Sequence, residues 1–227
     1  MKITKYPQSC FLLESKDKKI IIDPGNMVKT YMPEFDINSW KNIDVILITH
    51  KHSDHVDSEL IKEIQNLNPN VLIYTNTEVV EKLKAENIEA NLVKEGGVLE
   101  FGKTKVEVTP AQHGFIYLMK GGGFPKENIG FIIDDGEKRI YHTSDTIMFE
   151  HELKADIVLA PICGHHIALE PACAIEFVKD DIGAELMIPC HYENENHPIG
   201  TEVFEQIAKK IDYTEYKILQ NGESLEV

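Results

Sequence analysis

Val45-Ile46-Leu47-Ile48-Thr49-His50-Lys51-His52-Ser53-Asp54-His55 is the stretch from which the rest of the chain can be read. Its first four residues form a continuous apolar run, as expected for a strand covered on both faces. Its last six place three imidazoles and one carboxylate directly after that strand. With ten histidines and thirteen aspartates in 227 residues, chance yields an H-x-H-x-D-H string in roughly one such chain per thousand. Imidazole nitrogen and carboxylate oxygen are the ligands of zinc and related divalent metals. His50 and His52 alternate and can point the same way from an extended loop, while Asp54 and His55 continue to a neighbouring position. Four such groups exceed what one ion with an open position takes, so the segment points to two metals.

Short apolar strands recur on both sides of this stretch, joined by turns. Residues 3–6, 11–14 and 19–22 read as successive antiparallel strands. The last is closed by Asp23-Pro24-Gly25, where Pro sets φ and Gly accepts a positive φ. Apolar side chains at 56, 60, 61, 64 and 67 predict a helix over 56–67, stopped by Asn68-Pro69-Asn70. A strand at 71–74 and a helix at 77–86, with Val80 and Leu83 inward, come next. Strands follow at 91–94, 105–109, 129–134 and 138–142. The second half alternates strands at 157–160, 185–188 and 216–219 with helices at 171–179 and 202–210. Pro171 suits a first helical turn, where its missing N–H costs nothing. Hairpins flanked by βα units, twice over, predict an α/β fold of two mixed sheets facing each other with helices outside. No composition break, low-complexity tract or repeat divides the chain, so residues 1–227 read as one domain.

Further ligand-type residues fall just past predicted strands. His113 follows 105–109 across Pro110-Ala111-Gln112, Asp145 follows 138–142 across Thr143-Ser144, and His191 follows Cys190. In a layered fold strand ends share a rim, where sites are built on loops held by a rigid scaffold. Singly, each has an ordinary explanation: a histidine beyond a strand is commonly a surface or core residue, and Ser144-Asp145-Thr146 also suits a helix start. Their recurrence at several strand ends makes them a constellation. His142, His151 and His197 have no such support. Gly121-Gly122-Gly123 lacks the Lys-Ser/Thr of a phosphate cradle and reads as a flexible loop or lid.

Composition sets the outer limits. A hydrophobic share of 42% and a charged share of 27% are ordinary for a globular protein. No apolar run approaches the roughly 18–20 residues of a membrane-spanning helix, and residues 10–13 are too short a run for a signal peptide. The net charge of −15 repels phosphate backbones, which argues against nucleic acid as a general partner. Cys10, Cys163, Cys173 and Cys190 show no CxxC spacing and read as free, mostly buried thiols of a cytoplasmic protein. The expected partner is a small-molecule substrate, with no membrane; a homo-oligomer stays open.

With these residues laid out, the chain resembles the metallo-β-lactamase superfamily. Within it, the likeness is to the small metal-dependent hydrolases that include L-ascorbate-6-phosphate lactonase. The resemblance runs through Ser9-Cys10-Phe11-Leu12-Leu13, Ile21-Ile22-Asp23-Pro24-Gly25, His50 to His55 and Ala111-Gln112-His113-Gly114. It continues through Ile140-Tyr141-His142-Thr143-Ser144-Asp145-Thr146 and Ile188-Pro189-Cys190-His191-Tyr192. One departure is Pro7-Gln8, where many relatives carry Gly-His. The resemblance implies an αββα four-layer sandwich with a dinuclear site at one edge. It implies His50, His52 and His113 as ligands of a first metal, Asp54, His55 and His191 of a second, and Asp145 as the bridge. Pro161-Ile162-Cys163-Gly164-His165-His166 resembles a family loop that approaches the site, which makes His165 a candidate donor to substrate.

The implied activity is metal-dependent hydrolysis of a small ester, lactone or phosphoester by hydroxide activated between two divalent ions, zinc foremost, with manganese or iron as alternatives. Asp54 is read as catalytic, orienting the nucleophile or carrying its proton besides ligating. An anionic substrate would need positive charge, for which Lys51, Lys120 and Lys126 are candidates. Two rivals stand beside this reading: a non-catalytic metal-binding or sensor module, and a di-iron redox protein. Members of the latter kind typically carry Glu where this chain has His52, and a fused flavin domain.

Overall fold

The computed structural model describes residues 1–115, 125–193 and 199–227. Strands β1 (Lys2–Lys5), β2 (Phe11–Glu14) and β3 (Lys19–Ile22) form an antiparallel meander, which β4 (Val45–Ile48), β5 (Leu72–Thr75) and β6 (Asn91–Leu92) extend in parallel. Between them lie α1 (Met27–Tyr31), a 3₁₀ turn at Ile37–Trp40, α2 (Ser58–Leu67) and α3 (Thr77–Ala85). A second sheet starts with the antiparallel β7 (Val98–Phe101), β8 (Thr104–Pro110), β9 (Ile129–Asp134) and β10 (Arg139–His142). It continues in parallel through β11 (Ile157–Pro161) and β12 (Leu186–Cys190), with α4 (Pro171–Glu176) between them and α5 (Thr201–Lys210) after. The C-terminal β13 (Ser224–Glu226) returns to pair with β1, so the two sheets are ordered β13-β1-β2-β3-β4-β5-β6 and β12-β11-β10-β9-β8-β7. Both sheets are mixed, as the pattern predicts.

Side-chain alternation on the strands explains the layering. Within β4, Val45 and Leu47 face the second sheet, while Ile46 and Ile48 face the helices. The inter-sheet core also holds Phe11, Ile22, Val106, Phe131, Leu159 and Ile188. Outside the first sheet, Leu60, Ile61 and Ile64 of α2 and Val79 and Leu83 of α3 cover it. Outside the second, Ile175 of α4 and Phe204 of α5 pack over Tyr141, Val158 and Met187. Each fully buried side chain of this kind contributes roughly 1.5–3 kcal/mol. The result is the αββα order, and it brings the carboxyl ends of β3, β4, β8, β10 and β12 to one rim.

Several elements differ from the sequence reading for physical reasons. Helix α2 begins at Ser58, because the Asp57 carboxylate caps it by accepting from Glu59 N–H. On α3 it is Val79, not Val80, that is buried beside Leu83. The helix predicted over 171–179 widens after Glu176 into a π-helical turn at Phe177–Ile182, which keeps Phe177, Val178 and Ile182 all buried before Gly183 (φ 73°) ends it. Residues 216–219 form no strand: one parallel bridge joins Tyr216 to Met187, and the Tyr216 ring turns onto Phe204 and Tyr213 instead. Strands β7 and β13 and helix α1 are additions, short and partly exposed, whose weak apolar pattern carried little signal.

Candidate metal centre

The rim is assembled by loops pressed together through backbone. The turn after β4 is tight, with the N–H groups of His55 and Val56 both donating to His52 O at 3.0 Å. The loop after β3 lies directly on it: Asn26 N–H donates to Ser53 O (2.9 Å) and Asp57 N–H to Pro24 O (3.1 Å). A Cβ on Gly25 would stand 1.9 Å from Asp54 O, so only glycine permits this approach. From the helical side, Lys82 Nζ donates to the carbonyls of Lys51 and Val56 at 2.9 and 3.3 Å. From the second sheet, Gly114 N–H donates to Ile167 O at 2.7 Å, and Ile147 N–H to Gln112 O at 2.8 Å.

Onto this frame the seven candidate residues converge. His50 Nε2 and His52 Nδ1 face each other at 3.0 Å, and with His113 they form one group whose donor atoms lie within 4.8 Å of one another. Asp54, His55 and His191 form a second such group, and His50, His55 and Asp145 a third that links the two. The Asp145 Oδ2 atom lies 3.2 Å from His55 Nε2, 3.1 Å from His191 Nε2 and 3.9 Å from His113 Nε2. The Asp54 Oδ2 atom lies 3.2 Å from His191 Nε2 and 4.0 Å from His55 Nε2. Donors sharing a zinc ion at its usual bond lengths stand about 3.3 Å apart in a tetrahedron, so these separations suit ligation. His50, His55, His113, Asp145 and His191 are buried, whereas His52 and Asp54 are half-buried and form the open side.

Three of the candidate imidazoles are tied from behind through their other nitrogen. His55 Nδ1–H donates to Asp23 Oδ2 at 2.7 Å, His113 Nδ1–H to Gly114 O at 2.7 Å, and His50 Nδ1–H to the Thr49 hydroxyl at 3.0 Å. Thr49 in turn donates to Asp23 through both its hydroxyl and its N–H, each at 2.8 Å. This arrangement fixes three rings with Nε2 lone pairs directed into the cluster, the usual support behind a metal-ligating histidine. His55 Nε2 itself is buried and makes no well-aligned hydrogen bond, as expected of an atom awaiting a cation. The donor set and its surroundings therefore fit divalent metal.

Electrostatics agree. Burial holds the His50 imidazolium well below its ordinary pKa and pushes His113 down to about 4, so both rings are neutral donors. Burial would lower His55 and His191 too, but the Asp145 carboxylate raises both, helped by Asp23 and Asp54 at His55 and by Asp54 at His191. Burial would raise Asp145 and Asp54, but the neighbouring imidazolium charges of His191 and His55 hold both below the carboxylate range. The carboxylates thus demand positive charge at this rim, whether from protons or from metal.

Other expected residues fall as follows. His165 and His166 are exposed on a turn in which Gly164, His165 and His166 all have positive φ (61°, 55° and 62°). The carbonyls of His166 and Ile167 pack against Gly114, so this loop stands beside His113. Lys51 forms an ion pair with Glu78 at 2.8 Å. Lys120, the Gly121-Gly122-Gly123 run and His197 lie outside the described residues. His142, set aside as a ligand, is buried and donates from Nε2 to Ser9 O at 2.7 Å. Asp23 is the participant that sequence reasoning missed, having been read as a turn residue only. A carboxylate closing a strand of three isoleucines was the available signal, since a buried charge needs a partner.

A two-sheet sandwich with a His/Asp cluster at one rim defines a class, the metal-dependent hydrolases built on the metallo-β-lactamase fold. Residues 2–191 match the family described as "Beta-lactamase superfamily domain". A UPF0173 metal-dependent hydrolase of Nanoarchaeum equitans is 34% identical over 85% of this chain and 84% of its own, and one of Bacillus cereus is 30% identical over 99% of both. The structure of Igni18, a metallo hydrolase from Ignicoccus hospitalis, superimposes with a TM-score of 0.76 at 22% identity, covering 99% of this chain and 97% of that one. The chain belongs to the metallo-β-lactamase superfamily, among its UPF0173 metal-dependent hydrolases.

Proposed function

We propose that this hydrolase holds two divalent ions and cleaves a small ester, lactone or phosphoester. His50, His52 and His113 would hold one ion and Asp54, His55 and His191 the other, with Asp145 between them. The observation that carries the reading is the convergence of these seven side chains, with three of the rings secured from behind. Two ions so held would supply Lewis acidity and lower the pKa of water from 15.7 toward about 7. Asp54 is the half-exposed carboxylate of the cluster, and it is the group we assign to orient the nucleophile and take up its proton. His165, on the loop beside His113, is the candidate donor to substrate oxygen. Zinc suits the mixed nitrogen and oxygen donors, as manganese or iron would. A lactone of the phosphorylated-sugar kind is the substrate nearest the family likeness. The four cysteines are unpaired, three of them buried, which accords with a cytoplasmic setting.

The test is metal analysis of protein purified without chelator, followed by a panel of lactones, thioesters and phosphodiesters. Close to two ions per chain are expected. His52→Ala and Asp145→Ala should each abolish both occupancy and turnover. Full activity in metal-free protein would overturn the reading, and a bound iron that turns over oxygen would replace it with a redox one.

A further inference from the structure

Lys5 is fully buried, at 0% exposure, in a strand that begins the chain far from the metal motif in sequence. Its ammonium donates to the Glu193 carboxylate, to Asn221 Oδ1 (2.8 Å) and to Tyr6 O (3.2 Å), and it lies 4.6 Å from the centre of the Tyr192 ring. The other oxygen of Glu193 accepts from Gln8 N–H at 3.0 Å. Gln8 O then accepts from His191 N–H at 3.2 Å. These bonds close a ring from Lys5 through Glu193 and Gln8 to the backbone of His191. Both Gln8 (φ 60°) and His191 (φ 55°) sit in the left-handed region that non-glycine residues avoid. Such conformations persist only where the surroundings over-determine them.

A buried ammonium–carboxylate pair is poor stabilisation, because an apolar pair of similar volume commonly serves stability as well or better. What this pair does supply is position. Glu193 stands two residues from His191, and the clamp joins the β1–β2 loop to the end of β12, where the second sheet delivers that histidine. The next residue, Ser9, reaches the same cluster, its hydroxyl lying 3.5 Å from Asp145 Oδ1.

We propose that Lys5 and Glu193 are positioning residues that hold His191 in its ligating conformation, so that the clamp sets the affinity of the second ion. The inference rests on the two-ion reading above. Its consequence is asymmetry: loss of the clamp weakens the ion bound by His191 and leaves the ion bound by His50, His52 and His113 in place.

The experiment is a cobalt(II) titration, followed by visible absorbance, of the wild type, Glu193→Gln and Lys5→Met/Glu193→Gln, with thermal midpoints of the metal-free proteins measured alongside. The double variant removes both charges together, so it should keep a midpoint near that of the wild type while its second cobalt binds about 10–100-fold more weakly. Its first cobalt should bind as in the wild type. An unchanged second affinity in the double variant would make the clamp purely structural and overturn the proposal. If the double variant does not fold, Glu193→Gln alone is read in the same way, since the neutral amide loses the charge-assisted bonds to Lys5 and Gln8 N–H that hold the clamp. A wild type that takes up one cobalt overturns the two-ion reading instead. In that case the clamp stands or falls on whether the variants weaken that single ion.

Discussion

Asp23 carries three hydrogen bonds on two oxygens, all from groups that shape the rim: His55 Nδ1–H and the hydroxyl and N–H of Thr49. Asp23→Asn keeps the volume but removes the charge behind His55. Metal affinity should fall about 10–100-fold with the fold intact, measured by competition with a chromophoric chelator. Asp23→Ala would also leave buried donors unmade, at about 1–3 kcal/mol for each group. The raised protonation of His55 and His191 makes a second prediction at this scale. Proton and metal compete for the same Nε2 atoms, so below their raised pKa values the ion held by His55 and His191 must displace their protons. Apparent zinc affinity should therefore climb as pH rises past the ordinary histidine value of about 6.5, by about tenfold per unit for each proton displaced. His50 and His113, held neutral, add nothing to that slope. A flat profile would refute the assignment. Of these side chains the candidate ligands were legible as a group in sequence, because a metal demands particular residue types at close spacing, and the structure brings them together. Asp23 was not, because Asp-Pro-Gly has a sufficient explanation as a turn, and its place after three isoleucines does not say which histidine the carboxylate supports.

Among the elements, the loop after β3 and the loop after β4 act as one unit, since β3 and β4 are parallel neighbours and deliver both to the same rim. Gly25 is where they touch. Gly25→Ala forces its new methyl into the Asp54 carbonyl, so either Asp54 moves or the loops part. We expect roughly 1–3 kcal/mol of destabilisation from the overpacking, together with loss of metal from the Asp54 side, read as a lowered unfolding midpoint and a reduced ion count. An unaltered ion count would mean the loops yield without disturbing Asp54. The strand cores were readable in advance because each is a short apolar run between turn residues. The boundaries were decided by particular caps, Asp57 for α2 and Asn76 for α3, whose side chains accept from Glu59 and Val79 N–H. The π-helical turn at Phe177–Ile182 and the failure of residues 216–219 to extend as a strand depend on partners distant in sequence, which no local pattern encodes.

At the scale of the molecule, the candidate ligands come from both sheets: His50 to His55 from the first, and His113, Asp145 and His191 from the second. Metal at this rim would therefore join the sheets across their shared core as well as serve chemistry. Without it, the Asp54 and Asp145 carboxylates share the two imidazoles of His55 and His191, with Asp23 behind His55, in a chain of net charge −15. We propose on this ground that residues 1–227 unfold as one unit and that the metals reinforce it; the C-terminal β13, paired with β1, belongs to the same unit. An ion at a hundred times its dissociation constant stabilises by about 2.7 kcal/mol. In a chain of this size each kcal/mol moves the melting temperature by roughly 2–4 °C. Chelation should thus lower the melting temperature by roughly 5–11 °C per ion lost, in a single transition seen alike by far-UV circular dichroism and by Trp40 fluorescence. Trp40 is a suitable reporter because it is fully buried in the core between the first sheet and its helices. Two separate transitions, with only the second sheet responding to chelator, would show that the sheets are not coupled through the site.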